Sequence, residues 1–504
     1  MARRTVEIDL NRVEGDLEIQ VDLEDDVIVD ARCIGTLYRG FEQILIGRAP
    51  RDALVITPRV CGICGTAHLY ATVRALERIG GIRPPRHATH IRDLCLMAEN
   101  LQSDLRQTFL FFTPDFCHPS YAGHPLADDA ARSFAPFQGD VARGCLETSR
   151  KVLRIVAIFG GQWPHSSYMV PGGVTLPANA GRLLDARYLV AETRAWLERS
   201  VLGDNLDTWL ALDSGPAFFE WLESSAAHRD AGLGLLCRFS RSIGLQSLGR
   251  GTPHLISFGM RPDPVDGGGF PAGFYDGDAD RVEPLDQMRI NEHVSHSWFM
   301  PYPGGRHPWS GETIPDHMSG QGRYTWAKAP RYGDKVAQTG PLAELRIGAE
   351  PLITDLLAAE GDNTWLRQFA RLRRAAWTVR AMAEELDALQ RCMDEPHFVD
   401  PGIQDWPDGE GCGLVEAARG ALGHWLRIGN GVIQGYQIVT PTAWNASPRD
   451  SAGQPGHWER SLIGLRLEDP EDPVQIGHVI RSHDPCLVCT VHFIGRSRKT
   501  YPCV

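Results

Sequence analysis

The chain predicts a mainly helical α+β fold: long helices bundled around a buried metal centre, with small β-sheets at the periphery. Three observations carry this expectation. Apolar residues recur at three- and four-residue spacing over several long stretches, the pattern of helices with a buried face. The first 35 residues instead alternate apolar with polar, as a half-buried sheet does. Two Cys-x-x-Cys pairs, Cys61-Gly62-Ile63-Cys64 and Cys486-Leu487-Val488-Cys489, lie more than 400 residues apart, each followed by a histidine, His68 and His492.

Val6, Ile8 and Leu10 alternate with polar neighbours, as do Leu17, Ile19, Val21 and Leu23. Asp25-Asp26 then turns into Val27-Ile28-Val29, which places a small antiparallel sheet within residues 4–35. Leu94, Met97, Leu101, Leu105 and Phe109 predict a helix over 93–112, and residues 182–202 read as another. The longest stripe, Leu366, Phe369, Leu372, Ala376, Val379, Met382, Leu386, Leu389 and Met393, predicts a helix over about 363–393 that needs a long helical neighbour. Residues 249–345 are dense in glycine and proline and lose helical periodicity, so irregular loops and short strands are expected there. Gly267 to Gly269 lack the strand–helix frame of a phosphate loop. No repeat or linker appears, so residues 1–492 read as one interleaved unit.

With 504 residues, 43% hydrophobic and 23% charged, the composition is that of a globular protein with a sizeable core. A net charge of −12 argues against nucleic acid as the main partner, because phosphate binding needs a basic surface. No signal peptide and no membrane-spanning run is read, so a cytoplasmic start is expected, with export only alongside another chain. Twelve cysteines are too few for a disulfide scaffold. Eight lie outside the two pairs (Cys33, Cys95, Cys117, Cys145, Cys237, Cys392, Cys412 and Cys503), and most of them read as buried apolar fillers.

Thiolates bind soft metals, and two Cys-x-x-Cys pairs offer four sulfurs to one centre, with the small Gly62 letting the backbone approach. On spacing alone, structural zinc stays open, and a redox dithiol less so. Three features weaken zinc: a large core needs no staple, zinc-ribbon pairs lie much closer in sequence, and each motif brings a further histidine.

Arg59-Val60-Cys61-Gly62-Ile63-Cys64-Gly65-Thr66-Ala67-His68 and Asp484-Pro485-Cys486-Leu487-Val488-Cys489-Thr490-Val491-His492 resemble the two signature motifs of the large, catalytic subunit of nickel–iron hydrogenases. Other blocks match that family in order. They are Arg12-Val13-Glu14-Gly15, Arg39-Gly40-Phe41-Glu42 with Gly47 to Asp52, and Gly160 to His165. Lys328 to Tyr332, Arg419 to Trp425 and Pro441 to Asn445 follow. The resemblance runs from about residue 7 to residue 492.

The resemblance implies that Cys61 and Cys486 are terminal nickel ligands, and that Cys64 and Cys489 bridge nickel to an iron carrying cyanide and carbon monoxide. Dihydrogen would be split heterolytically there. Glu14 would pass the proton. Arg419 would stand over the open metal positions, oriented by Asp484. Thr442 would donate to a cyanide, and His68 would hydrogen-bond near a bridging cysteine. Glu42, His492 and the backbone carbonyl of Ile438 would hold a second, hard ion, usually magnesium. Read without the resemblance, Glu14 and Glu42 are surface acids, His68 is a buried structural histidine, Thr442 is a loop hydroxyl, and Arg419 and Asp484 serve an ion pair and a turn.

Two departures stand out. Ala418 replaces the proline the family usually has before the arginine, and Ser103 falls where a canopy aspartate often sits, which hints at a different subgroup. Residues 493–504 match a tail that an endopeptidase removes after chaperones insert the metals. No further cysteine group has iron–sulfur spacing, so electrons must leave through an iron–sulfur small subunit. The wording of residues 161–173 suggests the uptake and sensing branch, so a hydrogen sensor of the same family is the rival reading; the tail favours an enzyme.

Overall fold

The computed structural model describes residues 4–13, 15, 17–261, 269–317, 322–469 and 472–486. Glu14, Cys489, His492, Cys503 and the tail therefore lie outside the described residues. Arg4–Asp9, Leu17–Glu24 and Val27–Gly35 form the expected antiparallel sheet, in sequence order, with Ile8 facing Ile19 and Ile19 facing Cys33. Its apolar face packs on helices His457–Leu462 and Val474–Arg481, so the start of the chain lies against the approach to the second cysteine motif.

Glu459 ties these pieces together. Its carboxylate accepts from the Tyr324 hydroxyl at 2.6 Å, the Gly456 amide at 3.1 Å and the Cys33 amide at 3.3 Å. Burial pushes its pKa up to about 7, against the pull of those donors. A carboxyl raised in the fold binds its proton more tightly folded than unfolded, so stability is lost as pH climbs from the unfolded value of about 4.3 to the folded one. Glu459→Gln is expected to flatten the fall of the unfolding midpoint between about pH 4.5 and 7 by this group's share; an unchanged slope would refute the assignment.

Helices Arg86–Arg106, Asp140–Gly160, Ala180–Trp196 and Thr364–Arg391 form the bundle. Two of them continue into single wider turns, Gln107–Phe112 and Leu197–Leu202, which accounts for the expected ends at 112 and 202. The long helix has its expected stripe buried from Leu366 to Leu389 and packs on Arg86–Arg106; Met393 lies past its end. Its other face is buried too, through Arg367, Arg371, Arg373 and Arg374. Buried guanidiniums require partners. Arg373 pairs with Glu350 at 2.6 Å, and Arg374 bridges Asp104 at 2.6 Å and Glu344 at 3.1 Å. An exposed polar face is the usual reading of such arginines, and tertiary structure overrides it by placing this helix at the centre.

The glycine- and proline-rich region holds short strands. Leu255–Ser257, Gly273–Asp276 and Arg281–Pro284 make one antiparallel sheet, and Ile290–His293 pairs with Ala329–Tyr332. Its last residues depart from the expectation, because Pro341–Ile347 is a helix. Pro341 at its first position, after Gly340, is the overlooked signal. Six of the eight outlying cysteines are buried and Cys117 is partly so, all with free thiols. Among the described residues no helix is long and apolar enough to cross a membrane.

Candidate metal centre

Cys64 immediately precedes helix Gly65–Gly80, whose amino end favours a thiolate over a thiol. That helix presses on the hairpin of Gly409–Ala417 and Gly420–Gly429. Contact is close enough that a Cβ on Gly413 would lie 1.8 Å from the Ala71 carbonyl oxygen. The tight approach expected at Gly62 belongs to Gly65 instead. A Cβ on Gly62 meets only His165, at 4.0 Å, whereas one on Gly65 would meet the Pro58 carbonyl at 2.9 Å. Arg39 donates to the carbonyls of Arg59 and Val60, pinning the turn before Cys61. Glu99, on helix Arg86–Arg106, accepts from the Thr66 and Ala67 amides at 3.0 Å each and so holds the helix start behind Cys64.

The distant motif arrives after helix Val474–Arg481 through Asp484, whose φ of 58° turns the chain inward. Cys486 donates its amide to the Thr442 hydroxyl at 3.2 Å, at the start of helix Pro441–Asn445. Its Sγ lies 3.7 Å from Cys61 Sγ, and both residues are fully buried. A disulfide would bring the sulfurs to about 2.05 Å. One tetrahedral ion with sulfur ligands at about 2.3 Å spaces them about 3.8 Å apart, so the donor set fits a soft metal.

Arg419 sits in the turn of the hairpin and shares a small cavity of about 10 Å³ with Cys64, His68 and Thr442. Its Nε is 3.1 Å from Asp484 Oδ1, at ion-pair distance but without hydrogen-bond alignment. Nη1 and both Asp484 oxygens are buried without an aligned partner. Burial alone would lower the Arg419 pKa, but Asp484, Cys486, Cys61 and Cys64 outweigh it and hold the guanidinium charged. Buried polar atoms left without aligned partners among the cysteines are what a bound polar group would satisfy.

The other expected residues lie around this cavity and a second one. His68 is buried next to this cavity; its amide donates to the Cys64 carbonyl at 3.2 Å and its ring Nδ1 lies 2.9 Å from His424 Nε2. Burial lowers its pKa to about 4, so it is neutral. Glu42 and Ile438 meet directly: the Ile438 amide donates to Glu42 Oε1 at 2.8 Å. Lys328, from one of the matching blocks, donates to Glu42 at 3.1 Å, Glu292 at 2.9 Å and Gln437 at 2.6 Å. Glu292 and Glu42 overcome its burial and raise its pKa. Glu42, Thr313, Lys328 and Ile438 help line a cavity of about 70 Å³. Ser103 is buried, while its neighbour Asp104 carries the charge, bound to Arg374.

Sequence reading passed over Glu99, Asp104, Arg371, Arg374 and His424. Asp104 lies 3.8 Å from Arg371, and Arg374 donates to the Ala418 carbonyl, so this charge cluster backs the Arg419 turn. Arginines recurring about one turn apart, at 367, 371 and 374, were the available signal.

Thiols from both ends of the chain, a guanidinium over a small cavity and a buried position define a sulfur-ligated metalloenzyme centre. The family model described as nickel-dependent hydrogenase matches residues 39–125 and 243–492. The periplasmic [NiFeSe] hydrogenase large subunit of Desulfomicrobium baculatum is 33% identical, covering 96% of this chain and 94% of its own. The Escherichia coli K12 hydrogenase-1 large chain is 28% identical, covering 98% and 95%. The structure of the reduced Ni-Fe-Se hydrogenase from D. vulgaris Hildenborough superposes with a TM-score of 0.82 at 29% identity, over 97% of this chain and all of that one. The chain belongs to the nickel-dependent hydrogenase family, as a large subunit.

Proposed function

We propose that this large subunit oxidises dihydrogen to protons and electrons and passes the electrons to an iron–sulfur small subunit. The observation that carries the reading is the 3.7 Å approach of Cys61 and Cys486 sulfurs beside Arg419. Cys61, Cys64, Cys486 and Cys489 would hold nickel and iron, the iron carrying cyanide and carbon monoxide. When bound, that centre supplies the Lewis acidity that polarises dihydrogen.

This chain's residues do the rest. Arg419 fixes a positive charge over the cavity, and Asp484 orients it. Thr442, whose oxygen already accepts from Cys486, keeps its proton for a cyanide. Glu14 takes the proton away. Glu42 and the carbonyl of Ile438, with His492, suit a hard divalent ion such as magnesium, which favours oxygen ligands and retained waters. The chain would remain cytoplasmic unless carried out with its small subunit, after chaperones load the metals and an endopeptidase trims residues 493–504.

Elemental analysis with infrared spectroscopy of the purified complex tests the assignment: nickel, iron and bands of metal-bound cyanide and carbon monoxide are expected, and zinc without those bands refutes it. Arg419→Lys keeps the charge but not the planar fork, and losing a charged hydrogen bond costs roughly 1.5–3 kcal/mol, so dihydrogen oxidation should fall about 10- to 100-fold with metal content unchanged. A rate within twofold of wild type would remove Arg419 from the machinery.

A further inference from the structure

Helix Gly65–Gly80 runs from Cys64 at one end to a larger cavity at the other, with a volume of about 490 Å³, inside the range of small-molecule sites. At 1.5 Å per residue, Arg74 and Arg78 lie about 15–21 Å along the helix from Cys64, so an occupant there is remote from the metal chemistry. Five arginines line the cavity: Arg74 and Arg78 from this helix, Arg83 from the segment after it, Arg92 from helix Arg86–Arg106, and Arg261. Glu77 and Asp93 are the acids of the lining. On a chain with a net charge of −12, this is a local excess of positive charge.

Both acids are already engaged. Glu77 accepts from Arg92 at 2.8 and 3.1 Å and from the Gly172 amide at 3.0 Å. Asp93 accepts from the Tyr70 hydroxyl at 2.9 Å, and burial with the nearby Glu385 raises its pKa, so it is a weaker counter-charge than an ordinary aspartate. Arg261 pairs outside the lining, with Glu385 at 2.9 Å. Arg78 donates to the carbonyl and the Sγ of Cys412, at 2.8 and 2.7 Å, both neutral, so its charge is not cancelled there. Arg83 is exposed. The buried Nε atoms of Arg92 and Arg261 have no hydrogen-bond partner among the described residues.

These arginines converge. The Arg74 and Arg92 guanidiniums each stand 5.8 Å from the centre of the Tyr70 ring, and Asp93, bound to that ring's hydroxyl, feels both Arg261 and Arg74. The carboxyl end of a helix favours a cation and accounts for Arg78, but not for Arg83 beyond it or Arg261 from a distant segment. Like charges gathered on one concave wall repel one another unless an anion joins them.

We propose that this cavity binds an oligophosphate, free or as the tail of a nucleotide. Guanidiniums grip phosphate through paired, charge-assisted hydrogen bonds. Several of them around one cavity suit a ligand that carries several anionic groups on a short chain, and the volume exceeds what a single small anion fills.

The complex with the small subunit, titrated by calorimetry with inorganic pyrophosphate and separately with ATP, tests this. A Kd below about 1 mM is expected for at least one of them. ATP binding tighter than pyrophosphate assigns the site to a nucleotide; ATP binding no tighter assigns it to the phosphates alone. Arg78→Gln combined with Arg83→Gln, both at exposed positions, is expected to weaken binding about 10-fold or more, the effect of losing a charged hydrogen bond, with nickel content unchanged. Arg132→Gln, at an exposed arginine outside this cavity, is expected to bind as wild type. The proposal is overturned if neither probe binds, if sulfate at matched ionic strength binds equally well, if the paired substitution leaves binding unchanged, or if Arg132→Gln weakens it as much.

Discussion

Replacing Cys486 by serine is expected to empty the centre, with nickel falling from about one per chain to near zero and dihydrogen oxidation dropping more than 100-fold. Losing an outer partner of a metal site costs about 10- to 100-fold, and a ligand itself costs more. Serine is nearly the size of cysteine, so packing is preserved. Its hydroxyl stays protonated near neutral pH and is a hard oxygen donor where soft metals select thiolate. Cys61, 3.7 Å away, would keep only part of its metal's ligand set. Cys145→Ser is the matched control: Cys145 is equally buried but lies beside Ser149 in the bundle, and full metal loading is expected. Full nickel and iron in the Cys486→Ser protein, with rates within tenfold of wild type, would end the account.

Replacing Arg374 by methionine is expected to lower stability by about 3–5 kcal/mol, the cost of leaving buried charges without their counter-ion. Glu344 loses its counter-ion and Asp104 keeps only Arg371, 3.8 Å away, and neither carboxylate is exposed to water. Arg374 also donates to the Ala418 carbonyl, directly before Arg419, so the turn over the cavity loosens. Denaturant unfolding should show the lowered midpoint. Asp104→Asn combined with Arg374→Met should cost less than the sum of the two single changes, because the groups share one network. A midpoint equal to wild type would show that water reaches these charges.

Much of the fold was legible because single elements announce themselves locally. The alternation of Val6 to Val29 and the stripe from Leu366 to Leu389 reflect strand and helix periods that need no partner to be recognised. The cysteine pairs were equally plain, since thiolate chemistry is carried by residue type and spacing. What stayed hidden was the second face of the long helix. Arg371 and Arg374 carry no signal of burial in the sequence, because Asp104 and Glu344, which neutralise them, come from separate elements. His424 stayed hidden for the same reason, as its contact with His68 spans more than 350 residues.

The sequence by itself determined that this chain is a large subunit of the nickel-dependent hydrogenase family: ligand chemistry and element periods are written in short stretches of residues. Only the tertiary structure decided how those pieces serve the centre. It put Gly65 rather than Gly62 at the close backbone approach, turned Ile438 toward Glu42 through its amide, gave His68 an imidazole partner and buried an arginine-rich face behind Arg419. Each of these depends on which distant group fills the space beside a side chain, and burial then makes an unpaired charge or donor too costly to leave unmatched.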